Sequence, residues 1–121
     1  YVSNCHVRSY PDGMDVQVYP LSALRKSYNL TNSKIDREHV TLHIRKNPKI
    51  FKTIHFFSKD EEFWPNLGLT LDEEKDLKLI QKIFNRFKKN RKKFSLIEIL
   101  NFLKKNKFLL NINSDVKRKN F

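Results

Sequence analysis

The chain has 121 residues, 39% of them hydrophobic, with one cysteine, two glycines and a net charge of +12. That length supports one domain with a real core, and no apolar run approaches the roughly 20 residues that span a bilayer. The lone Cys5 excludes an internal disulfide, the glycines are too few for a phosphate-cradling loop, and no basic-then-apolar signal pattern opens the chain, so the cytoplasm is the expected location.

In chain order, Pro11-Asp12-Gly13 reads as a turn, because Pro presets φ, Asp bonds nearby backbone and Gly takes positive φ. It delivers Asp12 and Asp15 into an alternating run, Met14, Val16 and Val18, that predicts a strand over about 14–19. A short helix follows from Leu21, with Leu24 and Tyr28 on the face of Leu21. Ser33 and Asp36, spaced as in a capping box, predict a second helix running through His39 toward Lys46 and stopped by Pro48. Ile50 to Phe57 reads as a strand, 58–66 as a polar loop and 67–71 as a short strand. Asp72-Glu73-Glu74 suits a helix N-terminus. The helix it opens reaches about Phe87, with Leu77, Ile80, Phe84 and Phe87 at helical spacing. Lys88 to Lys93 reads as a basic link. Ser95 and Glu98 form a capping box for a last helix striped by Leu96, Ile99, Leu100 and Leu103. The order β-α-α-β-β-α-α places the chain in the α/β or α+β class.

The charge is uneven. Residues 1–74 hold ten basic and ten acidic side chains, whereas 75–121 hold 15 Lys/Arg against Asp76, Glu98 and Asp115. A basic half is compatible with a polyanionic partner, but no nucleic-acid-binding motif accompanies it. Abundant Lys, Asn, Ile and Phe also fit simple compositional bias.

Three clusters carry chemistry, each with a structural counterpart. Arg8, Asp12 and Asp15 surround the first turn, which is either a polar loop at a sheet edge or a plain turn. In Asp36-Arg37-Glu38-His39-Val40-Thr41, Arg37 and His39 suit an anionic ligand, or the segment is a capped helix end. His39 and His43 stand four apart but lack the glutamate and spacing of the zinc-protease helix. In Leu69 to Leu77, Asp72 lies where a strand runs out, a place α/β sheets use for ligand and metal chemistry. A hard carboxylate suits Mg²⁺, and dipole compensation is the structural alternative.

In this order the clusters resemble the C-terminal half of the cytidylyltransferases that include the spore-coat polysaccharide biosynthesis protein F group, relatives of 3-deoxy-manno-octulosonate cytidylyltransferase. Tyr10-Pro11-Asp12-Gly13-Met14-Asp15-Val16-Gln17-Val18 is similar to the family's Pro-Asp-Gly-x-Asp-Val-Glu-Val. Arg37-Glu38-His39-Val40-Thr41 is similar to Arg-Glu-His-Val-Thr, and Thr70-Leu71-Asp72-Glu73-Glu74-Lys75-Asp76-Leu77 to Thr-Val-Asp-x-Pro-x-Asp-Leu. Glu74 stands for the usual Pro, Gln17 for Glu, and His43 for a common aromatic.

The resemblance implies half of a nucleotide-diphosphosugar-transferase-like three-layer α/β/α fold with a mixed sheet, incomplete as a domain. Residues 1–88 would form an acceptor-sugar and metal half, and 89–121 a basic helical extension packed on it. The implied activity condenses CTP and a sugar acid to a CMP-sugar and pyrophosphate, with Mg²⁺, for cell-surface polysaccharide synthesis. Asp72 matches a metal-binding aspartate. Arg8, Asp12, Asp15, Arg37, Glu38 and His39 are assigned to the sugar pocket, with Arg37 as the clamp for a carboxylate or phosphate. The resemblance identifies no catalytic residue. The family's nucleotide loop and other metal aspartate have no counterpart here, so the chain is expected to be inactive without a nucleotide-binding half. An exposed apolar seam, self-association or pairing with a separate N-terminal half follow as expectations. The alternatives are a non-catalytic module that pairs with a nucleotide-binding chain, and a nucleic-acid-binding protein that uses 75–121.

Overall fold

The computed structural model describes residues 1–88 and 93–118. Its elements are β1 (Val2–Ser3), β2 (Gln17–Val18), α1 (Leu21–Leu30), α2 (Lys34–Glu38), α3 (Leu42–Lys46), β3 (Ile54–His55), α4 (Glu74–Phe87) and α5 (Leu96–Lys105). Short 3-10 turns cover Asp60–Glu62 and Lys107–Ile112. The class is α/β. Two compact units divide the chain: Tyr1–Arg8 with Asp15–Phe57, and Ser9–Met14 with Ser58 onward. The chain crosses between them on either side of the first turn, so Asp12 and Asp15 belong to different units. Residues 89–92 and 119–121 of the basic link and extension lie outside the described residues.

The first unit is built on a three-stranded mixed sheet of order β2-β1-β3. Strand β1 pairs antiparallel with β2 and parallel with β3, so Val2 stands between Val18 and Ile54, and Ser3 between Gln17 and His55. Paired residues share a face. Ser3 is fully buried on one side, where Gln17 accepts a hydrogen bond from the Thr41 hydroxyl. The other side is open: Val18 is 63% and Ile54 50% exposed, with Val16 and Phe56 exposed beside them. Thr41, at the start of α3, thus reaches the Ser3–Gln17 face of the sheet. The opposite face exposes an apolar surface.

Several elements are shorter than the sequence pattern indicates. The alternation over 14–19 yields strand pairing only at Gln17–Val18, because Met14 is held in the preceding turn by its N–H bond to the Pro11 carbonyl (3.1 Å). The helix expected over 33–46 is two helices. The His39 N–H bonds to the Ile35 carbonyl (2.9 Å) and closes α2, and α3 begins only at Leu42. Two adjacent β-branched residues, Val40 and Thr41, lie in the break, where their stiff side chains disfavour helix. Ser33 makes no capping bond, and Asp36 instead accepts from the Thr31 hydroxyl (2.7 Å). The expected strand over 50–57 reduces to Ile54–His55, since Ile50 and Phe51 are turned back onto the Asn47 carbonyl at 2.9 and 3.0 Å.

The second unit holds an apolar core of Leu67, Leu69, Leu79, Ile83, Leu100, Leu103 and Leu109, against which Trp64 packs. The 67–71 segment enters it as a single parallel bridge of Asp12 with Gly68, closed by Asp12 N–H to Leu67 carbonyl (2.8 Å) and Leu69 N–H to Asp12 carbonyl (2.7 Å). Gly13 has φ +98°, and a Cβ there would lie 2.8 Å from the Leu69 carbonyl. Glycine is required at that position. Helix α4 buries Asp76, Leu79 and Ile83, whereas Leu77 and Phe84 are 40% and 57% exposed. Of the expected stripe Leu77, Ile80, Phe84 and Phe87, Ile80 and Phe87 are half-buried and Phe87 packs on the core, whereas the fully buried line runs through Asp76, Leu79 and Ile83 beside it. Helix α5 carries the expected capping box: the Ser95 hydroxyl accepts from the Glu98 N–H (3.3 Å) and Glu98 accepts from the Ser95 N–H (2.8 Å). Leu100 and Leu103 are fully buried, with Leu96 and Ile99 packed beside them. Among the described residues no helix is long and apolar enough to cross a membrane.

Candidate functional site

The interruption between α2 and α3 shapes the site. A continuous helix would distribute residues 39–41 around its axis, whereas the break lets His39, Val40 and Thr41 line one cavity together. Asp15, Gln17 and Tyr19 from the β2 segment and Arg45 from α3 complete the lining of a space of about 410 Å³. Two of the three motif regions therefore converge within one unit. Thr41 is buried and its hydroxyl is tied to Gln17, which also accepts from the Tyr1 hydroxyl (2.9 Å). Asp15 pairs with Arg8 at 3.1 Å, with both side chains about one-third exposed (31% and 36%). Arg8 thereby offsets the one acid on the cavity wall.

The other assigned residues lie elsewhere. One Arg37 nitrogen, Nη2, donates to the Tyr28 and Thr31 carbonyls at 2.9 and 2.8 Å, and the guanidinium stacks on the Tyr28 ring at 3.4 Å. Those carbonyls end α1, so Arg37 satisfies acceptors that a helix C-terminus leaves open. Neither Arg37 nor Glu38 lines the cavity. His43 hydrogen-bonds the buried Ser27 hydroxyl through Nδ1 (3.1 Å) and meets Phe51 edge-on. With the helix broken between them, His39 and His43 are not a chelating pair on one face.

In the second unit Asp12 serves the bridge to Gly68 through its backbone. Asp72 is exposed at the approach to α4, next to a cavity of about 400 Å³ lined by Glu73, Glu74, Lys75, Asp115, Val116 and Lys117. The buried acid of this third motif is Asp76. Its Oδ1 accepts from Asn113 Nδ2 (2.8 Å) and Arg118 Nη2 (2.7 Å), and its Oδ2 from the backbone N–H groups of Asp72 (3.2 Å) and Glu73 (3.1 Å). Burial pushes its pKa up, but these four donors outweigh burial and hold it at about 2. Gly68 leaves the space that the Arg118 guanidinium fills, and its carbonyl accepts from Asn113 (3.1 Å). Asp76 is thus a structural anchor for the residues around Asp72. Sequence reading missed Asn113 and Arg118, which carry no local signal and reach Asp76 from 37 and 42 positions away. Arg45 was missed as well, because it reads as a basic residue in a last helical turn.

Metal chemistry receives a partial fit. Among the described residues no three His, Cys, Asp or Glu side chains gather to hold an ion. Mg²⁺, however, commonly takes one or two carboxylates and completes its shell with water and substrate phosphates. An exposed Asp72 suits that mode.

No family model matches the sequence. In structure, the chain is similar to a cytidylyltransferase from Leptospira borgpetersenii serovar Hardjo-bovis, with a TM-score of 0.81 and 22% identity over 98% of this chain and 47% of that one. The chain has a cytidylyltransferase fold. In sequence, it is 35% identical over 116 residues to an uncharacterized protein of Methanocaldococcus jannaschii, covering 90% of this chain and 44% of that protein. The chain spans less than half the length of either relative.

Proposed function

We propose that the chain supplies the acceptor-sugar portion of a cytidylyltransferase site, which activates a sugar acid as its CMP-sugar for cell-surface polysaccharide synthesis of the spore-coat type. The observation that carries this reading is the shared cavity. Asp15 and Gln17 of the first motif face His39 and Thr41 of the second across one polar space, in a chain with a cytidylyltransferase fold. Hydroxyl, amide, carboxylate and imidazole groups in one concave site match the hydrogen-bonding demands of a polyhydroxylated ligand.

In the proposed reaction a sugar hydroxyl attacks the α-phosphorus of CTP, a new P–O bond forms and pyrophosphate leaves. His39 orients the attacking hydroxyl by hydrogen bonding, the Thr41–Gln17 pair fixes the ring, and the Arg8–Asp15 pair holds the wall of the cavity. Asp72 would hold Mg²⁺ together with substrate phosphates, and the ion, when bound, supplies charge neutralisation at those phosphates. Selection of CTP and most contacts to the triphosphate are assigned to polypeptide outside this portion, because this chain covers 47% of the cytidylyltransferase it is similar to.

The test is pyrophosphate release from CTP with a panel of sugar acids, using this chain with and without a candidate nucleotide-binding half. The reading predicts sugar-acid-dependent release only when both are present, and its abolition by His39→Ala. Release by the complementing half alone, unaffected by this chain, would overturn it.

A further inference from the structure

Three arginines fall in or beside the two motifs that reach the cavity, and the structure treats them differently. Arg8 is compensated by Asp15, and Arg37 is engaged through Nη2 by carbonyls and through its plane by the Tyr28 ring; its Nη1 is buried without a partner among the described residues, but Arg37 lies outside the cavity lining. Arg45 lines the cavity, and its Nε is buried with no hydrogen-bond partner among the described residues. Helix α3 fixes its position, since its backbone N–H bonds to the Thr41 carbonyl (3.0 Å). A buried, unsatisfied guanidinium nitrogen carries a desolvation cost that an incoming acceptor recovers. The planar fork of arginine fits an oxyanion with two parallel bonds. Asp15, the one acid among the lining residues, is already paired with Arg8.

We infer that Arg45, and not Arg37, is the oxyanion-binding residue of this cavity, gripping a carboxylate or phosphate on the ligand while Thr41, Gln17 and His39 address its hydroxyls. The choice of a sugar ligand rests on the function proposed above, whereas the oxyanion preference rests on Arg45 alone. It follows that the cavity selects acidic sugars over neutral ones of the same shape.

The experiment is calorimetric titration of the full chain and of its Arg45→Gln and Arg45→Lys variants. The probes are 3-deoxy-manno-octulosonate, the carboxamide of that sugar, and inorganic phosphate. Far-UV circular dichroism and amide dispersion check that each variant is folded. The inference predicts that wild type binds the acid at least 10-fold more tightly than the carboxamide. Arg45→Gln should erase that preference, bringing acid and carboxamide affinities together. Arg45→Lys, which keeps the charge and loses the fork, should retain part of it, and this variant serves if Arg45→Gln does not fold. Equal affinity of wild type for acid and carboxamide, or an undiminished preference in the variants, would overturn the inference. Failure of all three probes to bind wild type would do the same. Arg45-dependent binding of phosphate without binding of either sugar would uphold the oxyanion site and overturn the sugar reading.

Discussion

Replacing Asp76 by Asn tests the packing of the third motif. All four groups that meet this carboxylate are donors: two at Oδ1 from Asn113 and Arg118, and two at Oδ2 from the Asp72 and Glu73 backbone. An amide has one accepting oxygen, so either orientation turns an NH₂ group toward two donors and leaves Arg118 without its counter-charge. Breaking a buried pair in this way costs about 3–5 kcal/mol, and the 18% exposure of the Arg118 side chain places the effect near about 3 kcal/mol. Urea unfolding followed by fluorescence of Trp64, which packs on the same core, reads it directly. The pH dependence is a second check. A folded-state pKa held at about 2, below the ordinary 3.8, contributes stability that is fully present above pH 4 and is lost as pH falls through 2. That contribution is roughly 2–3 kcal/mol. The gap between wild type and Asp76→Asn should therefore narrow between pH 4 and pH 2. Equal stability at pH 7, or a gap that does not change at low pH, would refute the assignment of Asp76 as a four-donor anchor.

Two further outcomes follow from the geometry. Gly13→Ala puts a Cβ 2.8 Å from the Leu69 carbonyl at a φ of +98°. It should lower the stability of the second unit by about 1–3 kcal/mol in the same urea assay, and a neutral substitution would contradict the turn geometry. On the first unit, the open face carrying Val18 and Ile54 should drive concentration-dependent association of this chain. Light scattering should show that Val18→Lys with Ile54→Lys suppresses it, whereas a wild type that stays monomeric at high concentration would count against that role for the face.

What could be read from the sequence was local. The turn at Pro11–Gly13 was legible because only glycine takes the φ that the backbone demands, and α5 because Ser95 and Glu98 cap it within three residues. The break at 39–41 was not legible. Val40 and Thr41 disfavour helix too weakly to mark a break by themselves, and the Thr41–Gln17 bond that accompanies it spans 24 residues. The buried face of α4 was misphased because Asp76, a charge, occupies it while Leu77 and Phe84 face out. Charge on a buried face is intelligible only once Asn113 and Arg118 are seen to arrive. In the candidate site, the assignment of the first and second motifs to one pocket came from the family resemblance and not from residue spacing. The division of labour between Arg37 and Arg45 required knowing which guanidinium the backbone carbonyls already occupy.

The most direct test of the sugar-pocket assignment is a two-dimensional amide NMR titration of the chain with 3-deoxy-manno-octulosonate. The account predicts saturable shifts concentrated at Asp15–Tyr19 and His39–Arg45, the two segments that line the cavity. Shifts centred on Glu73–Lys75 and Asp115–Lys117 instead, or none at millimolar ligand, would contradict it.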